Sequence, residues 1–160
     1  MKHKVSYVMC CMLLMMAACD NQDKGENLTQ HVNPKIGSGG HGHVFVGASV
    51  PFGMVQLGPD TNYGGSGYHY TDNKIYSFSH THANGNGGGD LQDICMMPVT
   101  GSEWDSRAEF PGDIHSSYSH DEEQAMPGYY SLVLPDEKVR VELTATERCG
   151  LHRYTFPTDE

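Results

Sequence analysis

Between Ser66 and Pro98 the chain reads SGYHYTDNKIYSFSHTHANGNGGGDLQDICMMP, and this stretch concentrates the side chains that could do chemistry. Tyr68, His69, Tyr70, His80, His82, Asp90 and Asp93 are interleaved with glycines. Aromatic faces, imidazoles and carboxylates on tight glycine loops suit sugar hydroxyls or a metal ion. Residue types alone leave both open.

The metal reading rests on two His-x-His pairs, His41 with His43 and His80 with His82. On a strand, i and i+2 face the same way, so each pair could offer two imidazoles to one zinc ion, with Asp90 or Asp93 completing the site. The alternative is hydrogen-bonded histidines of a pocket or core. A cupin-like site would want a downstream glutamate, and VFVGASVPFG (44–53) carries none. The sugar reading draws on Asp90 and Asp93, because glycoside hydrolysis uses two carboxyl groups, about 6.5–9.5 Å apart in inverting enzymes and about 5–5.5 Å in retaining ones. Asp90 could equally cap a glycine loop and Asp93 begin a strand. Trp104, with Tyr63, Tyr68, Tyr70 and Tyr76, could form a stacking platform or belong to the core. Gly37-Ser38-Gly39-Gly40-His41-Gly42 satisfies G-x-G-x-x-G, which serves a dinucleotide only between a strand and a helix. Here Asn33-Pro34 precedes it and a strand-like run follows, so a nucleotide is not expected.

The elements that must position these residues read as strands. Val44 to Val50 and Phe52 to Leu57 are β-branched and aromatic runs between Gly and Pro breaks, and Ile75 to His80 and Asp93 to Val99 are two more candidates. The C-terminal third is clearest: Gly128 to Leu134, a turn at Pro135 to Lys138, then Val139 to Glu147. There Val139, Val141, Leu143 and Ala145 alternate with polar residues, the period of a half-buried strand. Leu151 to Phe156 follows after a turn at Arg148-Cys149-Gly150. Only Ser102 to Phe110 could hold a helical turn. The fold class expected is all-β, an incomplete antiparallel β-sandwich, and the strand-like end of the chain suggests the front of something longer.

The first residues have the form of a secretion signal: Lys2, His3 and Lys4, an apolar run from Val5, and Met16-Ala17-Ala18 before Cys19. The run is shorter than the ~20 residues a spanning helix needs. Small residues before Cys19 resemble a bacterial lipobox, so residues 1–18 are expected to be cleaved, Cys19 to be lipidated, and 19–30 to act as a tether before one domain over 31–160. The alternative is an ordinary signal with an incidental cysteine. Asn27-Leu28-Thr29 matches a glycosylation acceptor, which in such a tether reads as chance. The whole chain carries a formal charge of −10, and loss of Lys2 and Lys4 leaves 8 basic against 20 acidic residues, or −12. So acidic a surface disfavours nucleic acid. Cys95 and Cys149 could pair in an oxidising compartment or stand as separate buried thiols.

Taken in order, VNPKIGSGGHGHVFVGASVPFGMVQLGPDT, SGYHYTD, FSHTH, GDLQDICMMPVTG, PGYYSLVL and VELTATERCGLHRYTFP resemble the N-terminal part of glycoside hydrolase family 92, the exo-acting α-mannosidases. The resemblance covers nearly all of His31 to Pro157. It implies a secreted or lipid-anchored enzyme, periplasmic or at the cell surface, that removes terminal α-linked mannose from glycans with inversion and needs Ca²⁺. It also implies a β-sandwich followed by a helical (α/α)₆ barrel that carries the catalytic acid and base and most of the calcium ligands, so this chain alone is expected to be inactive. By position, Ser66, Gly67, Tyr68, His69, His80 and His82 would lie where the first domain helps to form the mannose pocket. Many members have a tryptophan before SGYHY; this chain has Asn62-Tyr63-Gly64-Gly65, so Tyr63 is the candidate stacking residue, and the family's FSHTHLSG stands here as FSHTHANG. The competing expectations are a glycan-binding lipoprotein without catalysis and a zinc-binding periplasmic β-protein.

Overall fold

The computed structural model describes residues 26–61, 65–89, 91–101 and 114–158. Asn27 opens the described chain by capping a single 3₁₀ turn, Leu28–His31, its side chain accepting from the Thr29 N–H. Eight strands follow: β1 (Gly58–Asp60), β2 (Lys74–Ile75), β3 (Ser77–Ser79), β4 (Ser116–Ser117), β5 (Gln124–Met126), β6 (Tyr129–Leu134), β7 (Val139–Ala145) and β8 (Gly150–Thr155). All described pairings are antiparallel: β1 with β3, β2 with β4, and a four-stranded sheet ordered β5-β6-β7-β8. The chain is all-β, as its patterning implies.

The four-stranded sheet forms because its sequence alternates. Tyr130, Leu132 and Leu134 on β6 stand opposite Leu143, Val141 and Val139 on β7, and all six are buried. Fully burying each aliphatic member contributes about 1.5–3 kcal/mol relative to exposure. The other face carries Tyr129, Glu142 and Arg153, with Tyr129 and Arg153 both donating to the Glu142 carboxylate. Asp136 fastens the β6–β7 turn to β4 by accepting from the Ser117 N–H at 2.6 Å, which holds its own carboxyl below the usual range. Lys138 closes that turn at φ 54°, the left-handed conformation that a tight reversal demands.

Against the apolar face lie the β1–β3 pair and the segment before it. Phe78 is fully buried and meets Tyr154 of β8 at 6.4 Å between ring centroids. Val46, Ala48, Val55, Leu57 and Ile75 complete this side of the core. Val44 to Val50 and Phe52 to Leu57, expected as two strands, pair only where Ala48 and Leu57 exchange both backbone hydrogen bonds, at 2.6 and 3.0 Å. Gly47 explains the close approach: a Cβ there would fall on the Leu57 carbonyl. Similarly, Asp93 to Val99 touches β3 through Phe78 and Met96 alone, with a further bond from the His80 N–H to the Asp93 carbonyl. The backbone there is too contorted for a strand: Leu91, Gln92 and Ile94 all have positive φ, between 59° and 71°. The helical turn expected over Ser102 to Phe110 lies outside the described residues, as do Trp104, Asp90 and Cys19.

Candidate functional site

Three glycine-rich loops meet at one end of the β1–β3 pair. The first, Gly37 to His43, is joined to the second, Gly65 to Tyr70, by the Tyr70 N–H donating to the Ser38 carbonyl and by His69 Nε2 lying 3.2 Å from the Gly40 carbonyl. The third, His80 to Gly89, is fixed to the first by the Gly85 N–H donating to the His43 carbonyl at 2.7 Å. His43, at φ 51°, is the junction: a Cβ on Gly65 would stand 3.0 Å from its Nδ1, and one on Gly87 3.1 Å from its Nε2. Only residues without side chains let the three backbones converge on that ring.

Beneath the loops sits a buried carboxylate that local sequence did not announce. Asp60, 1% exposed, accepts from Ser77 Oγ at 2.6 Å through one oxygen. Its other oxygen accepts from Ser79 Oγ at 2.8 Å and Gln92 Nε2 at 3.0 Å, and lies 3.1 Å from His82 Nε2. The opposite nitrogen of His82, Nδ1, lies 2.6 Å from the Gln56 carbonyl, so both ring nitrogens face oxygen acceptors. His82 is buried and stacks on Phe45 at 5.4 Å. The positive φ at Gln92 is strain of the kind that persists only when surroundings over-determine it. Here the Gln92 N–H donates to the Thr81 carbonyl while its side chain reaches Asp60. Gly67 completes the contact, since a Cβ at its φ of 78° would meet Gln92 and His82 at 2.9 Å.

A second buried carboxylate holds the middle loop from below. Glu123 accepts from Tyr68 Oη at 3.1 Å, Tyr130 Oη at 2.7 Å, and Lys35 Nζ at 2.8 Å, with His120 Nδ1 at 2.8 Å. Burial alone would raise its pKa, but hydrogen bonds from Lys35, His120 and Tyr130, and the charge of Lys35, outweigh it and hold the carboxyl below its ordinary value. Burial and the adjacent carboxylate push the Tyr68 and Tyr130 hydroxyls well above theirs. His120 in turn stacks on Tyr70 at 4.1 Å, the two ring planes nearly parallel.

The residues singled out from sequence therefore separate into three groups. His69 is half-buried at the loop junction, bonded to Thr71 Oγ1 at 2.8 Å. Ser66, Gly67, Tyr68 and His82 are buried under the loops, with Ser66 Oγ donating to the Tyr68 carbonyl. His80 points elsewhere, its ring 4.7 Å from that of His152 on β8, where each ring leaves one buried nitrogen without a partner among the described residues. His80 and His82 thus diverge, because β3 ends at Ser79 and the strand alternation does not extend through them. Tyr63 lies outside the described residues. Among those residues no group of three or more His, Cys, Asp or Glu is gathered to hold a metal ion, and both Asp60 oxygens are spent on side chains of the fold. Cys95 and Cys149 are free and exposed, neither paired nor buried.

An open cleft of about 470 Å³ runs from His82 and Phe45 past Asn84 and Gln56 to Phe52 and Met126. Its size is that of a small-molecule pocket. Loops and cleft together offer a half-buried imidazole, side-chain amides and aromatic faces on a rigid frame, and they gather no pair of free carboxyl groups among the described residues. Binding and orientation are chemistry they can supply.

Comparison with known proteins agrees with this architecture. A family GH92 α-mannosidase of Bacteroides thetaiotaomicron, solved in complex with mannoimidazole, is 39% identical and superposes with a TM-score of 0.74 over 82% of this chain and 18% of its own. A family GH92 inverting mannosidase of the same species is 26% identical, with a TM-score of 0.65 over 81% of this chain and 18% of its own. A secreted glycosidase of the fungus Arthroderma benhamiae is 29% identical over 138 residues, 82% of this chain and 18% of that protein. The chain thus spans less than a fifth of the length of these relatives. The glycosyl hydrolase family 92 N-terminal domain matches residues 31–160, and the chain belongs to that family through this domain.

Proposed function

We propose that this chain is the pocket-forming N-terminal part of an exo-acting α-mannosidase that removes terminal α-linked mannose from glycans with inversion. The observation that carries the reading is the convergence of three glycine-rich loops on His43, in a chain whose family relatives include α-mannosidases. Tyr63 and His69 meet the sugar, while Ser66, Gly67, Tyr68 and His82 form the frame that fixes the loops and His80 braces them from the β8 side. A rigid frame holds these side chains in place before the sugar arrives, so less ordering entropy is lost on binding. The acid and base belong to residues outside this chain, as do most of the calcium ligands. Residues 19–160 alone bind weakly and do not hydrolyse. Residues 1–18 direct export, and Cys19 carries a lipid that anchors the protein in the periplasm or at the cell surface.

The test is to incubate the intact protein with an α-linked mannobiose and follow the products by proton NMR. Mannose appearing first as the β anomer is the expected result. Release of no mannose, or of the α anomer first, would refute the assignment, and turnover by residues 19–160 alone would refute the division of labour.

A further inference from the structure

The loop Ala83 to Gly89, ANGNGGG, contains two Asn-Gly pairs, and both asparagines are exposed. In such a pair the glycine, having no side chain, leaves its backbone nitrogen open to the preceding side-chain carbonyl. Hydrogen bonding sets the two pairs apart. The Gly85 N–H donates to the His43 carbonyl at 2.7 Å, so the nitrogen that would attack Asn84 is tied down. The Gly87 N–H has no acceptor among the described residues. Asn86 Oδ1 accepts from the Gly88 N–H at 3.0 Å, which holds the side chain against the backbone and draws electron density from Cγ.

We propose that Asn86-Gly87 is a self-modifying site at which the fold promotes succinimide formation, with the Gly88 N–H as the donor to the developing oxyanion. The Gly87 nitrogen gives its proton to solvent water or hydroxide and attacks Asn86 Cγ. The new Cγ–N bond forms, the Cγ–Nδ2 bond breaks, and the amide nitrogen takes a proton from water and leaves as ammonia. Water then opens the ring at either carbonyl, leaving aspartate or isoaspartate at position 86. A negative charge, and in the second product an extra backbone methylene, enters the junction of the three loops. Asn84 stays intact while the loop is folded, because the Gly85 nitrogen is held by the His43 carbonyl.

The experiment is peptide mapping of the intact protein after incubation at neutral pH, with detection of isoaspartate and of the exchange of NH₂ for OH. Asn86 is expected to react about tenfold faster than Asn84, a modest share of what one well-placed donor to an oxyanion contributes. Gly88→Pro, lacking the N–H, is expected to slow Asn86 by about the same factor. In urea the two sites should react alike. Asn84 reacting as fast as Asn86 in the folded protein would overturn the proposal, as would an unchanged Asn86 rate in Gly88→Pro.

Discussion

Replacing Tyr68 by Phe separates a residue that frames the pocket from one that touches the sugar. Tyr68 is 2% exposed, and its hydroxyl is shared between both oxygens of Glu123 at 3.1 Å. Phenylalanine keeps the ring and its packing, so no cavity opens, and the loss is confined to one hydrogen bond to a charged group. Such bonds contribute about 1.5–3 kcal/mol, and the length of this one places the cost near the low end, about 1.5 kcal/mol. Glu123 retains Tyr130 at 2.7 Å, Lys35 at 2.8 Å and His120 at 2.8 Å, which keeps the carboxylate from being stranded. By contrast, Glu123→Ala strands Lys35 and both hydroxyls, and breaking a buried ionic network in this way costs about 3–5 kcal/mol. Urea unfolding of the intact protein should show a lower midpoint at constant slope for Tyr68→Phe, with KM for an α-mannoside unchanged. A double-mutant cycle with Glu123→Ala should show coupling, since the two residues share one contact. An unchanged midpoint with a raised KM would refute the reasoning, because the hydroxyl would then serve the substrate and not Glu123.

Other perturbations probe the remaining supports. Asp60→Ala leaves His82, Ser77, Ser79 and Gln92 without their common acceptor, and a loss of at least about 1–3 kcal/mol is expected by chemical denaturation, because buried donors are left unsatisfied. Gly150→Ala places a methyl 2.8 Å from His80 Cδ2 and 3.2 Å from Leu57 Cδ2, and overpacking of this kind should cost about 1–3 kcal/mol in the same assay. Burial, and secondarily the charge of His80, lower the His152 pKa from 6.5 to about 4. The unfolded chain therefore binds the proton first, so stability is full above pH 6.5 and falls as the pH drops from there to about 4. His152→Leu should flatten that acid limb when midpoints are measured across the range.

Much of the C-terminal sheet was legible because its signal is local. Val139, Val141, Leu143 and Ala145 alternate with polar residues, and β7 spans Val139–Ala145 with those side chains inward. The N-terminal half was less legible because its order is set by distant partners. The β-branched run at Val44 to Val50 looks like a strand, yet Gly47 brings it so close to Leu57 and Gly58 that a single bridge replaces a ladder. β5 went unread, since Gln124 and Met126 are exposed and only Ala125 of its three residues is partly buried. Asp60 reads as the end of a run before a loop, but its partners lie 17 to 32 positions away in sequence. Glu123 stands in an acidic surface-like run, HDEEQ, and only Lys35, Tyr68 and Tyr130 turn it inward. The motif SGYHY marked a loop that the fold does bring to the junction, while the distinction between its buried tyrosine and its half-buried histidine required the fold.

The central claim is that this domain supplies binding, and not acid or base catalysis, to the mannose pocket. His69 is the residue on which that claim turns, for it sits at the loop junction between Gly40 and Thr71. Steady-state kinetics of His69→Ala in the intact protein, with an α-mannoside as substrate, measure it most directly. The expected result is a KM raised by about tenfold with kcat nearly unchanged, the signature of lost uniform binding. A collapse of kcat at unchanged KM, or no change in either constant, would contradict it.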